Sequence, residues 1–271
     1  MTRVAVVGLG LIGGSVALAA GASGWDLDPG VRERARRRGL DVRDDLDEAL
    51  AGAALVVIAV PTVATADLLV ELSGRAPDAL LTDCASLKRP IVETATHLRG
   101  GTRFVAGHPM AGARGRGVDA ADAGIFRGRP WAVVRTARSD PPAIAALEDF
   151  VRSLEARPVT IDADAHDRAM TWISHLPLVV SSALARAAAR GAGPEAASLA
   201  GPGLLDATRL AAQPTELGLE LALGDPAALA VAVEAAAASL SDFTSALRGS
   251  DAEAIRALLA EAEAARRFFE P

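Results

Sequence analysis

The sequence predicts an α/β domain followed by an all-α domain, and three observations predict it. Short β-branched runs alternate with helical stretches as far as Ile161. A glycine-rich turn directly follows the first run. After Asp162 the strand signals cease. Alternation of this kind implies βα units around a largely parallel sheet, because parallel neighbours need a crossover that a helix supplies.

The strand runs are, in order, Arg3–Val7, Leu55–Val60, Leu80–Asp83, Arg103–Ala106, Trp131–Val134 and Pro158–Ile161. Asp162 is placed to cap a long helix through Arg190, with a kink expected at Pro177. Gly201-Pro202-Gly203 interrupts the helical pattern, which resumes over Pro226–Leu247 and Asp251–Phe269. Ala227–Ala238 is alanine-rich, but its Leu and Val spacing suits a packed helix and not a linker. The domain boundary is therefore expected near residue 162, giving domains 1–162 and 163–271.

Composition excludes some functions. The chain has 271 residues, is 51% hydrophobic and carries a net charge of −6. An acidic balance argues against a nucleic-acid partner or an anionic membrane surface, which need a basic footprint. The longest apolar runs, such as Leu55–Val60, have strand length and are too short to span a bilayer. Cys84 is the one cysteine, so neither a disulfide framework nor a thiolate zinc site is expected. The N-terminus runs straight into Val4–Val7 without a basic leader, so the expected location is cytoplasmic. Lys88 is the one lysine and asparagine is absent.

Gly8-Leu9-Gly10-Leu11-Ile12-Gly13 stands between the first strand and the first helix. Gly8 permits the tight turn, Gly10 lets the backbone approach a pyrophosphate, and Gly13 lets the helix pack close to the sheet. The helix start, with Leu11 and Ile12, offers N–H groups to phosphates. Strand, turn and helix together point to an N-terminal Rossmann-type dinucleotide-binding domain.

A carboxylate ending the second strand is expected to bind the adenosine ribose. Asp26 lies early for that role. A helix of roughly nine residues rises ~14 Å, and a return strand of roughly four spans ~13 Å, so the short unit closes. Asp28, before Pro29, is a second candidate, though a surface turn residue explains it as well. Two carboxylates disfavour a 2′-phosphate and favour NAD over NADP. Arg32–Arg38 would weaken that preference unless it forms a solvated helix face.

Two more strand ends complete the cofactor side. Val60-Pro61-Thr62 and Asp83-Cys84-Ala85-Ser86-Leu87-Lys88 lie where ligands of open α/β sheets sit. Ser86 and Lys88 are candidates to face nicotinamide and substrate, although a serine at a helix start also serves as an N-cap. His108 follows a strand run within Gly107-His108-Pro109-Met110-Ala111-Gly112. Histidine titrates near neutrality and accepts a proton from a hydroxyl as hydride leaves, so His108 is the candidate base. His166 and His175, nine residues apart on one expected helix, would face opposite sides, so no metal site is expected from them with Asp167.

These residues carry a family resemblance. The glycine turn with Gly14-Ser15, the Asp83–Lys88 segment, the Gly107–Gly112 segment and Phe126-Arg127-Gly128-Arg129-Pro130-Trp131 occur in order. His166-Asp167-Arg168-Ala169, Ser174-His175-Leu176-Pro177 and Asp206-Ala207-Thr208-Arg209 follow. The series resembles the prephenate dehydrogenase family, which includes arogenate dehydrogenases, over nearly the whole chain.

The resemblance implies oxidative decarboxylation of prephenate to 4-hydroxyphenylpyruvate, or of arogenate to tyrosine. It implies that His108 takes the proton of the ring C4 hydroxyl and that Ser86 orients both. It implies that Arg209 grips a substrate carboxylate, which a planar guanidinium suits, that His175 borders the pocket, and that Asp206 orients Arg209 or caps a helix. A homodimer through the helical domain is also implied. The chain departs from the family at Leu178, where a second histidine is common, and at Arg114, where a glutamate is common. A tryptophan expected near Leu217 and Gly218 is missing. These departures bear on prephenate against arogenate or another cyclohexadienyl acid, and Arg114 is a candidate cation for a substrate carboxylate. Two rival readings are a β-hydroxyacid dehydrogenase, which would need a helical-domain Lys and Asn absent here, and a non-catalytic NAD-sensing dimer.

Overall fold

The computed structural model describes residues 3–113 and 115–270. The chain divides into two compact units, Met1–Arg168 and Ala169–Pro271, and each is described by itself.

In the first unit β1 (Val4–Val7), α1 (Leu11–Ala20) and β2 (Ser23–Trp25) form the short βαβ start, and α2 (Pro29–Arg37) and β3 (Asp41–Val42) follow. Next come α3 (Leu46–Leu50), β4 (Leu55–Ile58), α4 (Thr62–Arg75), β5 (Leu80–Asp83), α5 (Arg89–Thr96) and β6 (Arg103–Phe104). The six strands form one parallel sheet ordered β3-β2-β1-β4-β5-β6. Alternation explains its two-sided core. Val4, Val6, Leu55 and Val57 pack on one face, and Ala5, Val7, Val56 and Ile58 pack on the other. The order reverses between β1 and β4, which opens the ligand crevice at the ends of those strands.

The expected single sheet is two sheets. The run from Arg103 divides at Val105, and β7 (Ala106–Pro109) leaves to pair antiparallel with β8 (Pro130–Val134). After α6 (Pro141–Ser153), β9 (Arg157–Ile161) pairs parallel with β8, giving the order β7-β8-β9. His108 therefore lies inside a strand and not just after one. Proline is tolerated there because β7 is an edge strand and needs no second ladder bond at Pro109. Trp131, on β8, is fully buried against Phe126 and Phe150.

The Asp162 carboxylate accepts the Ala165 N–H at 2.7 Å and starts α7 (Ala163–Met170). One π-helical turn, Thr171–His175, then leads into α8 (Leu176–Gly191). This wide turn stands where a kink is expected: Pro177 has no N–H to close a normal turn, and the backbone widens just before it. The second unit continues with α9 (Ala196–Leu199), α10 (Pro202–Ala207), a 3₁₀ turn at Arg209–Ala212, α11 (Thr215–Gly224), α12 (Pro226–Arg248) and α13 (Ala252–Phe268). By length and composition alone, α12 is long and apolar enough to cross a membrane. Its apolarity is spread over alanine and valine with Glu234 and Asp242 between them, so no single apolar run reveals it.

Candidate active site

The glycine turn sits against β4. Gly8 has φ +95°, and a Cβ there would lie 2.5 Å from the Ala59 carbonyl oxygen. At Gly13 a Cβ would lie 1.9 Å from the Gly8 carbonyl oxygen, so helix and turn touch backbone to backbone. Gly10 differs: a Cβ there would meet nothing within 4 Å among the described residues. It is also the N-cap of α1, and no side chain caps that end. Open space thus lies over a helix start whose first N–H groups have no intrahelical acceptor, an arrangement that fits a pyrophosphate.

Asp26 follows β2 directly, and its carboxylate accepts the Leu9 N–H at 2.7 Å and the Asp28 N–H at 2.9 Å. The carboxylate therefore stands beside the glycine turn, where a ribose diol would be read. Asp28 serves the next helix instead, capping α2 by accepting the Gly30 N–H at 2.7 Å. The arginine run is partly engaged. Arg32 donates to the Asp26 carbonyl at 2.6 Å, and Arg38 donates to the Asp119 and Ala121 carbonyls at 2.6 Å each.

Val60 and Pro61 join β4 to α4, and Thr62 opens that helix and is buried. A Cβ on Gly8 would lie 2.6 Å from a Val60 methyl, so turn and strand end are adjacent. Ser86 lies in the bend between β5 and α5, and Lys88, not Ser86, is the N-cap of α5. The Lys88 ammonium and the Asp83 carboxylate form an ion pair with both side chains fully buried. The ammonium also donates to the Gly107 carbonyl at 2.7 Å. Asp83 accepts from Gly107 N–H at 3.1 Å and from Ala85 N–H at 2.9 Å. The pair thus clamps β5 to β7 one residue before His108. Burial, then the Asp83 charge, pushes the Cys84 thiol up against a smaller opposing pull from Lys88, so the thiol stays protonated and inert.

His108 Nδ1 lies 3.0 Å from His166 Nε2. His166 Nδ1 lies 2.7 Å from Asp167 Oδ1. Asp167 also accepts the Lys88 N–H at 3.0 Å and the Arg89 N–H at 2.8 Å, so it caps α5 from a distant segment. Burial raises the Asp167 pKa, but hydrogen bonds from His166 and the two backbone N–H groups outweigh it and hold the carboxyl below its ordinary range. The sequence places His166 with the helical segment, whereas the structure sets it in the first unit beside the candidate base. The adjacent His166-Asp167 pair, four and five residues past the capping Asp162, is the signal that could have found it.

In the second unit His175 is buried in the π turn and Arg209 is exposed at the start of the 3₁₀ turn. Leu178 is buried, and a Cβ on Gly218 would lie 3.8 Å from its Cδ2. Two of the departures, Leu178 and the missing tryptophan near Gly218, are therefore neighbours. Asp206 lies on α10, before the 3₁₀ turn. Arg114 lies outside the described residues. Among the described residues no group of three or more His, Cys, Asp or Glu is arranged to hold a metal ion.

Two family models match this chain. "Prephenate dehydrogenase, nucleotide-binding domain" covers residues 19–160, and "Prephenate dehydrogenase, dimerization domain" covers residues 162–261. The chain is similar to the prephenate dehydrogenase of Lactococcus lactis, with 28% identity over all of this chain and 78% of that protein. It is 29% identical to the cyclohexadienyl dehydrogenase of Zymomonas mobilis, over 97% of this chain and 94% of that one. Among solved structures, Synechocystis arogenate dehydrogenase is 29% identical with a TM-score of 0.79, covering 99% of this chain and 100% of that one.

Proposed function

The chain belongs to the prephenate dehydrogenase family, and from that premise we propose that it oxidatively decarboxylates prephenate to 4-hydroxyphenylpyruvate with NAD, in tyrosine biosynthesis. One observation carries the reading: the nucleotide-binding unit joins an open glycine cradle to a histidine fixed on β7. When bound, NAD accepts the hydride that leaves the ring C4 carbon. Gly8, Gly10, Leu11, Ile12 and Gly13 hold its pyrophosphate, and Val60, Pro61 and Thr62 flank it. Asp26 reads the ribose and repels a 2′-phosphate. Arg32 is committed to the Asp26 carbonyl, which supports NAD over NADP.

His108 takes the C4 hydroxyl proton, and Ser86 orients that hydroxyl. The ring carboxylate leaves as carbon dioxide, and its bonding electron pair restores aromaticity. The product oxygen then regains a proton from His108. Arg209 and His175 bind the substrate, with Arg114 as a further cation. Exposed Leu217, Leu219, Leu223, Val231, Leu240 and Leu247 support a homodimer through the helical unit. A cytoplasmic location and a small-molecule substrate, with neither nucleic acid nor membrane as partner, complete the reading.

Arogenate is the second reading, favoured by the whole-chain similarity to Synechocystis arogenate dehydrogenase. A steady-state assay pairing NAD and NADP with prephenate and arogenate, read as reduced nicotinamide absorbance, tests both. NAD with prephenate is expected to give the highest kcat/KM. Preference for arogenate would select the second reading, and no turnover of either acid would overturn both. His108→Asn is expected to abolish turnover while leaving NAD binding nearly intact.

A further inference from the structure

We infer that His166 and Asp167 set the tautomer of His108, so that Nε2 is the nitrogen that takes the substrate proton. This rests on His108 being the base. The relay starts at Asp167. That carboxylate caps α5, where negative charge is favoured, and it accepts from the Lys88 and Arg89 N–H groups. An ionised carboxylate only accepts, so the His166 nitrogen 2.7 Å away, Nδ1, carries a proton. Neutral His166 is then unprotonated at Nε2. That nitrogen lies 3.0 Å from His108 Nδ1, and a hydrogen bond between them needs one proton. The proton sits on His108 Nδ1. Neutral His108 is then unprotonated at Nε2.

The same chain of groups acts once His108 is charged. Its Nδ1–H still points at an acceptor, and the Asp167 charge at the far end offsets the imidazolium through His166. His166 is 1% exposed, so water does not compete for the shared proton. His166 and Asp167 are positioning residues, since they act through His108. The acceptor arrives from α7 and the base from β7, 58 residues apart in sequence, so packing within the first unit sets the protonation pattern.

The test compares His108→Asn, His166→Leu and His166→Gln in the full-length enzyme. Glutamine keeps an oxygen acceptor near the Nε2 position, whereas leucine removes it. His166→Leu is expected to lower kcat about 100-fold with KM little changed, and His166→Gln to stay within about tenfold of wild type. Long-range ¹H–¹⁵N correlation of histidine-labelled protein reads the tautomer without turnover, and the chain has only 4 histidines. Wild-type His108 is expected to be protonated at Nδ1 and unprotonated at Nε2, and His166→Leu to lose that pattern. A wild-type His108 protonated at Nε2 overturns the inference even if His166→Leu fails to fold. An inactive His108→Asn with unchanged kcat and spectrum in His166→Leu also overturns it and leaves the base assignment standing. Near-wild-type turnover by His108→Asn removes the base assignment itself.

Discussion

Replacing Lys88 with methionine removes one half of an ion pair in which neither side chain touches solvent. The Asp83 carboxylate keeps two N–H donors, from Ala85 and Gly107, but loses its only formal countercharge in the pair. The Gly107 carbonyl loses a 2.7 Å donor at the same time. Leaving one buried charge unpaired costs about 3–5 kcal/mol. Urea unfolding followed by tryptophan fluorescence reads it, because Trp25 and Trp131 both lie in the affected unit. With a slope of about 2–3 kcal/mol per molar, the midpoint should fall by about 1–2.5 M. Adding Asp83→Leu should restore most of the loss, since an apolar pair of similar volume replaces a buried ion pair at little cost. Turnover should stay low in the double variant, because Gly107 has lost both anchors and His108 follows it directly. A midpoint change worth less than about 1 kcal/mol in Lys88→Met, the scale of an exposed pair, would refute this reasoning. So would a double variant no more stable than the single one.

Other expectations follow from the same geometry. Gly8→Ala should cost roughly 1–3 kcal/mol in thermal unfolding, because its positive φ and the Ala59 carbonyl both oppose a side chain. Gly10→Ala should leave stability within about 0.5 kcal/mol yet weaken NAD binding in a fluorescence titration; unchanged affinity would remove the cradle assignment. Asp26→Asn should narrow the kcat/KM gap between NAD and NADP, and an unaltered ratio would show that Asp26 does not read the ribose. The depressed Asp167 carboxyl stabilises the fold above its unfolded value near about 4, and that contribution is lost as pH falls through the lower folded value. Acid titration should therefore show the stability gap between wild type and Asp167→Asn, roughly 1.5–3 kcal/mol near neutrality, closing below about pH 4. A gap constant with pH counts against an ionised Asp167.

The first βαβ unit is legible in the sequence because each device in it is local: a strand, a glycine turn, a helix and a carboxylate within 26 residues. The expected helix of roughly nine residues and strand of roughly four are ten and three. Strands as short as β3, with 2 residues, show no alternation and leave no periodic trace. β7 escapes for another reason. Gly107-His108-Pro109 has the composition of a loop, and only its edge position lets it pair. His108 itself is recognisable from its chemistry. His166 and Asp167 stand out only as an adjacent pair just past Asp162, and their role is not legible there, because what gives them meaning is contact with residues 58 and 79 positions earlier. Ser86 shows the converse: local rules offer it as a cap, and a carboxylate from another element holds that helix end instead.

That borrowed cap also sets an order of events during synthesis. Lys88 and Arg89 can be formed and packed on β5, but the carboxylate that seats their N–H groups is 79 residues further along the chain. At a ribosomal rate of about 5–20 residues per second, it emerges about 4–16 s later. The glycine cradle can thus be complete on a nascent chain while the histidine end is still open. The proton-handling part of the site is assembled after the cradle, and only by a chain that has passed beyond β9.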